Sequence, residues 1–212
     1  MTYTLWRPSP AGQIKATSSG RRFFTIEHGK LTNYSWWSTR PVIGGIRQQE
    51  KERLRIRVKT IDVPGWGSVK LENLVLDLNG TLTESGDLIP GVVDYLEKLK
   101  AQGFRIYILS ADTRGVLQQT FELSPDIEAV VTETAEDKKR FVESIGAETT
   151  VCVGNGNIDV EMFKVAKLSI CTVQAEGATT KAVLHADIVV THIKHALEIL
   201  LDPDKLIATL RY

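Results

Sequence analysis

Leu74-Val75-Leu76-Asp77-Leu78-Asn79-Gly80-Thr81-Leu82-Thr83 is the stretch whose reading decides how the chain folds. Leu74 to Leu76 form a short apolar run of the kind found in strands buried on both faces, and the polar, glycine-bearing segment behind it ends the run. Asp77 therefore stands where a strand reaches the rim of a sheet. Upstream, Ile56, Val58 and Ile61 precede Pro64-Gly65, with Val69 and Leu71 beyond, which predicts a hairpin leading into the main domain. Downstream, Pro90 opens a helix with Val93, Leu96 and Leu99 on one face, and Gly103 ends it.

The alternation continues to the end of the chain. Strands are expected at Ile106 to Leu109 and, after a helical connection, at Ala129 to Val131. A helix carrying Phe141, Val142 and Ile145 follows, then a strand at Val151 to Val153 and a short helix through Met162 and Phe163. Two further strands, Leu168 to Val173 and Ile188 to Val190, precede a helical end. Strands and helices alternating at this spacing predict a three-layer α/β domain. Its parallel sheet is covered by helices on both faces, and ligands are expected beyond the carboxyl ends of the strands.

This pattern covers residues 57–212. From Met1 to Ile56 no period holds, and isolated aromatics such as Trp6, Trp36 and Trp37 lie among Gly, Ser, Pro and Arg, which reads as a mostly disordered arm. The arm holds ten basic and three acidic residues, although Lys plus Arg equals Asp plus Glu over the whole chain at 26 each. No global field therefore marks the chain as a binder of nucleic acid or anionic membrane. The arm has no acidic residue before Glu27, as in organelle transit sequences, but lacks their amphipathic pattern; an over-extended gene start is the alternative. Only Cys152 and Cys171 are present, both in apolar runs, so a reducing, cytoplasmic compartment is expected rather than a disulfide framework. No apolar run approaches the length of a membrane span.

Four polar signals fall past strand ends or near helix starts. The Asp77 carboxylate could attack a phosphorus atom to form an aspartyl-phosphate, with Gly80 and Thr81 supplying a tight turn and a hydroxyl; an isolated Asp there would more often cap a turn. Ser110 lies 33 residues on, where a hydroxyl could meet a phosphate oxygen, or cap a helix. Lys138 precedes Phe141, Val142 and Ile145 at helical spacing, which sets it on the inward face; Lys139 matches that stripe less well. The run Gly154-Asn155-Gly156-Asn157-Ile158-Asp159 offers an amide oxygen and a carboxylate, hard ligands suited to magnesium. It fits a dinucleotide turn poorly, because Asp159 stands where the third glycine should be. His192 and His195 share a helical face without further ligand candidates nearby.

Together, Asp77-Leu78-Asn79-Gly80-Thr81-Leu82-Thr83, Ser110-Ala111-Asp112-Thr113, Lys138 and Gly154 to Asp159 resemble the four motifs of the haloacid-dehalogenase-like superfamily, and most nearly its soluble relatives of P-type ATPases. The resemblance implies a Rossmann-like domain and a magnesium-dependent hydrolase of phosphate esters or anhydrides. On it, Asp77 is the nucleophile; Thr81, Ser110, Ala111 and Lys138 bind the phosphoryl group; and magnesium is held by Asp77, the Asn79 carbonyl, Asn155 and Asp159. Hydrolytic members carry a second, proton-shuttling Asp two residues after the nucleophile. Asn79 stands there, and general acid-base help is worth about 10²–10⁴-fold, so slow turnover is expected. The fourth motif normally begins Gly-Asp, and Asn155 takes that Asp's place, which implies weaker magnesium binding. The connections where family members insert a cap are too short for one here. An open site is therefore expected, covered by a bulky phosphorylated substrate or by a second copy of the chain. Nothing resembles a nucleotide-binding domain or a membrane span, so ion pumping is excluded. The competing readings are a phosphate-binding or regulatory protein without useful turnover, and a nucleic-acid or partner-binding module that uses the basic arm.

Overall fold

The computed structural model describes residues 60–111 and 127–212, together with the backbone of two earlier strands, β1 (Phe23–Glu27) and β2 (Lys30–Tyr34). A hairpin of β3 (Thr60–Val63) and β4 (Gly67–Lys70) comes next, as the sequence predicts, and leads directly into β5 (Asn73–Asp77). The remaining elements are the short pair β6 (Thr83–Glu84) and β7 (Asp87–Leu88), α1 (Val92–Ala101), β8 (Arg105–Ser110), β9 (Glu128–Val131), α2 (Ala135–Ile145), β10 (Thr150–Gly154), α3 (Val160–Val165), β11 (Leu168–Thr172), α4 (Thr180–His185), β12 (Ile188–Val190), α5 (Ile193–Leu201) and α6 (Pro203–Leu210).

The main sheet runs in the order β12-β11-β10-β5-β8-β9-β1-β2. Every pairing from β12 to β1 is parallel, and only β2 is antiparallel to its neighbour. β5 lies at the centre, which explains its unbroken apolar run: a strand covered on both faces has no solvent side to mark with polar residues. Its alternate side chains enter two different cores. Leu74 and Leu76 pack with Val92, Leu96 and Leu99 of α1 and with Ile193, Leu197 and Leu200 of α5. Val75 packs on the opposite face with Phe141 and Val142 of α2 and Met162 and Phe163 of α3. Asp77 shares the parity of Val75, so the strand delivers its carboxylate to the α2 face.

Each helix follows from local chemistry. Gly91, at φ 79°, takes the N-cap position of α1, so the helix begins at Val92 rather than at Pro90, and Val92 replaces Val93 on the buried stripe. In α2, the Thr134 hydroxyl accepts from the Asp137 N–H while the Asp137 carboxylate accepts from the Thr134 N–H, a reciprocal cap that fixes the helix start and thereby the azimuth of Lys138.

Strands β1 and β2 lie inside the segment 1–56 read from sequence as an unpatterned arm. Phe23-Phe24-Thr25-Ile26 carries the aromatic and β-branched residues that strands favour, and the pair joins the sheet edge through Phe24 opposite Val130. The isolated hairpin was illegible because its neighbours in sequence give it no periodic context. The rest of 1–56, with Trp36 and Trp37, lies outside the described residues, so the boundary at Arg57 stands as a proposal. The helical connection expected between β8 and β9, with Asp112 and Thr113, also falls outside them. No cap stands in the short connections: β5 to α1 contains only the β6–β7 pair, and Thr132, Glu133 and Thr134 alone link β9 to α2. Among the described residues, no helix is long and apolar enough to cross a membrane.

Candidate active site

The carboxyl ends of β5, β8 and β10 meet at one rim, and the charged side chains gathered there are almost completely buried. Lys138, from the second turn of α2, is 1% exposed and extends over β5 and β10. Its ammonium lies 2.5 Å from Asp77 Oδ1 and 2.7 Å from Asp159 Oδ1. A lysine this deep must be paired, since desolvation of an isolated ammonium would neutralise it. Burial does pull its proton affinity down, but the two carboxylates outweigh that effect and leave its pKa above the ordinary lysine value. Asp77 moves the other way. Burial first, and then the charge of Asp159, push it up to about 6, with Lys138 opposing both. The trio is one cation shared between two acids. Lys139, on the next position of the helix, is partly exposed and lies 3.8 Å from Glu136 on the helix surface, as the helical phase predicts.

Asp159 is held from the other side as well. Its Oδ2 accepts from the backbone N–H of Asn155 at 3.0 Å and of Gly156 at 2.9 Å. Gly154 makes this possible: a Cβ there would lie 2.5 Å from the Asp159 carboxyl carbon. Asp159 is thus held by the turn and by Lys138. Cys152, beneath it in β10, is fully buried, and its thiol is pushed up by burial and by Asp159.

Beyond Asp77 the chain turns sharply. Leu78 O accepts from the N–H groups of Thr81, Leu82 and Thr83 at 3.3, 2.9 and 3.0 Å, and Gly80 sits at φ 75°. Any Cβ on Gly80 would come within 2.5 Å of Asn155 Nδ2, so the close approach and the left-handed backbone both require glycine. The turn buries Thr81 with its hydroxyl 3.3 Å from both Asp77 Oδ2 and Asn155 Oδ1, and its single proton serves one of them at a time. Asn79 is exposed at the rim, two residues past Asp77. Ser110 is buried at the end of the adjacent strand, one residue beyond the Leu109 that pairs with Asp77, and Ala111 follows it into solvent.

These residues fit a hard divalent cation. Asp77 Oδ2 and Asn155 Oδ1 converge on the same hydroxyl, and Asn155 donates its amide nitrogen to Gly177 O at 3.0 Å, which turns its oxygen toward the site. Among the described residues, no group of three or more acidic, His or Cys side chains is placed to hold a metal. A cation here would therefore draw on amide and backbone oxygen as well as carboxylate. His192 and His195 stand outside the site. Their rings lie 5.8 Å apart, and His192 caps α5 by accepting from the Lys194 N–H.

The segment 174–179 contributes contacts that sequence reading missed. Gln174 Nε2 donates to Gly80 O and Thr81 O, Glu176 accepts from Ser85 N–H at 2.8 Å, and Thr179 N–H donates to Asn155 O. Only its run of small and polar residues after a strand could have drawn attention to it.

A family model described as haloacid dehalogenase-like hydrolase matches residues 33–167. The chain belongs to this family. The haloacid dehalogenase-like assignment agrees with the four sequence motifs and with the fold: 3-deoxy-D-manno-octulosonate 8-phosphate phosphatase of Moraxella catarrhalis superposes with a TM-score of 0.51 at 16% identity, over 66% of this chain and 94% of that one. An uncharacterized protein of Methanocaldococcus jannaschii is 46% identical over 61 residues, 29% of this chain and 66% of its own length. A soluble P-type ATPase-like phosphatase of the same organism is 26% identical over 140 residues, 64% of this chain and 51% of its own. The chain thus spans under two thirds of the length of either curated relative.

Proposed function

We propose that the protein is a magnesium-dependent phosphohydrolase of the cytoplasm that works through an aspartyl-phosphate on Asp77, and that it turns over slowly. The observation that carries this reading is the buried Lys138 bridging Asp77 and Asp159 at the carboxyl rim of the central strand. A nucleophilic carboxylate must be ionised, and Lys138 opposes the burial that would otherwise protonate it. The phosphatase named among its relatives supports the same chemistry.

In the first step an oxygen of Asp77 attacks phosphorus, the bond from phosphorus to the leaving oxygen breaks, and Lys138 with the Ser110 hydroxyl offsets the charge of the transferring group. Asp77, the Asn79 carbonyl, Asn155 and Asp159 would hold magnesium, which would supply further charge neutralisation for the transferring group. In the second step water attacks the phosphorus, Asp77 leaves as carboxylate, and a proton must be taken from the water. Asn79 is exposed where such a base would stand, and an amide cannot accept that proton. Nor can that amide protonate the leaving oxygen in the first step, so substrates whose leaving groups depart as weakly basic anions, aryl or acyl phosphates, are favoured over alkyl phosphates. The open rim suits a bulky substrate or cover from a second copy of the chain.

Asn79 and Asn155 favour a second reading, a phosphate-binding or regulatory protein without useful turnover. A magnesium-dependent phosphomonoester screen of wild type beside Asn79→Asp separates the two. Faster steady-state turnover in the variant supports the hydrolase, and two equally inactive proteins support the binding role.

A further inference from the structure

We infer that Gln174 is a positioning residue that holds the Asp77 turn in the one conformation that keeps its carbonyl oxygens away from the anion site. This rests on the reading of Asp77 as the phosphoryl acceptor. The Gln174 amide is used at both ends. Nε2 donates to Gly80 O at 2.9 Å and to Thr81 O at 2.7 Å, while Oε1 accepts from Ile193 N–H, at the first residue of α5, at 2.9 Å. These partners fix the amide orientation, because exchanging its nitrogen and oxygen would set an oxygen against two carbonyls.

The placement matters because the sheet separates the two sides. α5 packs in the core of Leu74 and Leu76, on the face opposite Lys138 and α2. Carbonyls drawn toward Gln174 and α5 are therefore drawn away from the face onto which β5 projects Asp77. The local backbone does not secure this by itself. Gly80, at φ 75°, has no Cβ to restrict its rotation, and the turn depends on one acceptor, Leu78 O, for three N–H donors. A rotated Gly80–Thr81 peptide would present a partial negative charge beside a buried carboxylate that already shares one cation with Asp159. Gln174 fixes the choice and ties it to the rigid start of α5. The residue acts through the turn and touches no reacting atom.

The test uses the full chain with Gln174→Leu, Gln174→Glu and Gln174→Lys. Lysine keeps a donor for the two carbonyls, glutamate keeps only the acceptor for Ile193, and leucine keeps neither. Two readouts are taken: hydrogen exchange at the amides of Thr81, Leu82 and Thr83, and the rate of phosphoryl transfer to Asp77 from p-nitrophenyl phosphate in magnesium. Leu and Glu variants should exchange those amides and transfer phosphoryl at rates changed at least about tenfold, faster and slower respectively, with melting temperatures close to wild type. The Lys variant should stay within about threefold of wild type in both. Unchanged amide protection in the Leu and Glu variants overturns the inference, as does a Lys variant as impaired as Leu. A wild type that never labels Asp77 defeats the phosphoryl-transfer reading instead, and the exchange data still decide the role of Gln174.

Discussion

Replacing Asp77 with Asn should make the metal-free protein more stable at neutral pH, although on the proposed mechanism it removes the nucleophile. The folded protein holds the Asp77 carboxyl at about 6, against 3.8 for the free side chain, because burial and Asp159 disfavour its charge more than Lys138 favours it. Between those two values the folded state binds more protons at this position than the unfolded chain does. Stability contributed by this group is therefore greatest at low pH, falls as pH rises through the window, and is fully lost above its upper edge. A shift of roughly two units at about 1.4 kcal/mol each amounts to about 3 kcal/mol. Asparagine keeps the shape of the protonated acid and leaves Lys138 paired with Asp159 alone. Urea unfolding in chelator should show Asp77→Asn ahead of wild type by up to about 3 kcal/mol near pH 8, converging near pH 4. An Asn variant less stable than wild type at the higher pH, or a difference independent of pH, would refute the electrostatic account of the trio.

Lys138→Ala strips the cation from two buried carboxylates and should cost about 3–5 kcal/mol at neutral pH, whereas Lys139→Ala, which loses one half-exposed contact, should cost at most about 1 kcal/mol; denaturant unfolding reads both, and equal losses would contradict the helical phase. Gly154→Ala forces a methyl group against the Asp159 carboxyl and should destabilise by about 1–3 kcal/mol. Gly156→Ala, whose new methyl would meet nothing closer than 3.6 Å at an ordinary φ of −98°, should melt close to wild type. If the two alanine variants behaved alike, Gly154 would not be the reason Asp159 can approach the turn.

The parallel core was legible because β5, β8 and β10 are buried on both faces, and such strands advertise themselves as apolar runs ended by polar rim residues. Asp77, Lys138 and Asp159 were legible for a related reason: a carboxylate at a strand end and a lysine in phase with Phe141 are out of place unless they meet. Sequence could not say how they meet. The approach permitted by Gly154 brings the Asp159 oxygens to Lys138 and to two backbone N–H groups, contacts that the spacing of the motif alone does not specify. Nor does the sequence show that the Thr81 hydroxyl lies between Asp77 and Asn155. Gln174 was invisible, since a partly buried glutamine acquires meaning only from carbonyls more than ninety residues away in sequence. The β1–β2 pair escaped for the opposite reason: its strand chemistry is ordinary, but its partner Val130 lies far along the chain.

The central claim is that Asp77 becomes covalently phosphorylated, and one measurement addresses it directly. The protein is mixed with p-nitrophenyl phosphate and magnesium, quenched in acid and analysed by intact mass and peptide mapping. The account predicts a species heavier by one phosphoryl group, mapped to Asp77 and absent from Asp77→Asn. It also predicts a burst of nitrophenol close to one equivalent, because without a carboxylate at position 79 to take a proton from water the second step is the slow one. Release of nitrophenol with no such species in wild type, or a phosphoryl group mapped to another residue, would contradict it.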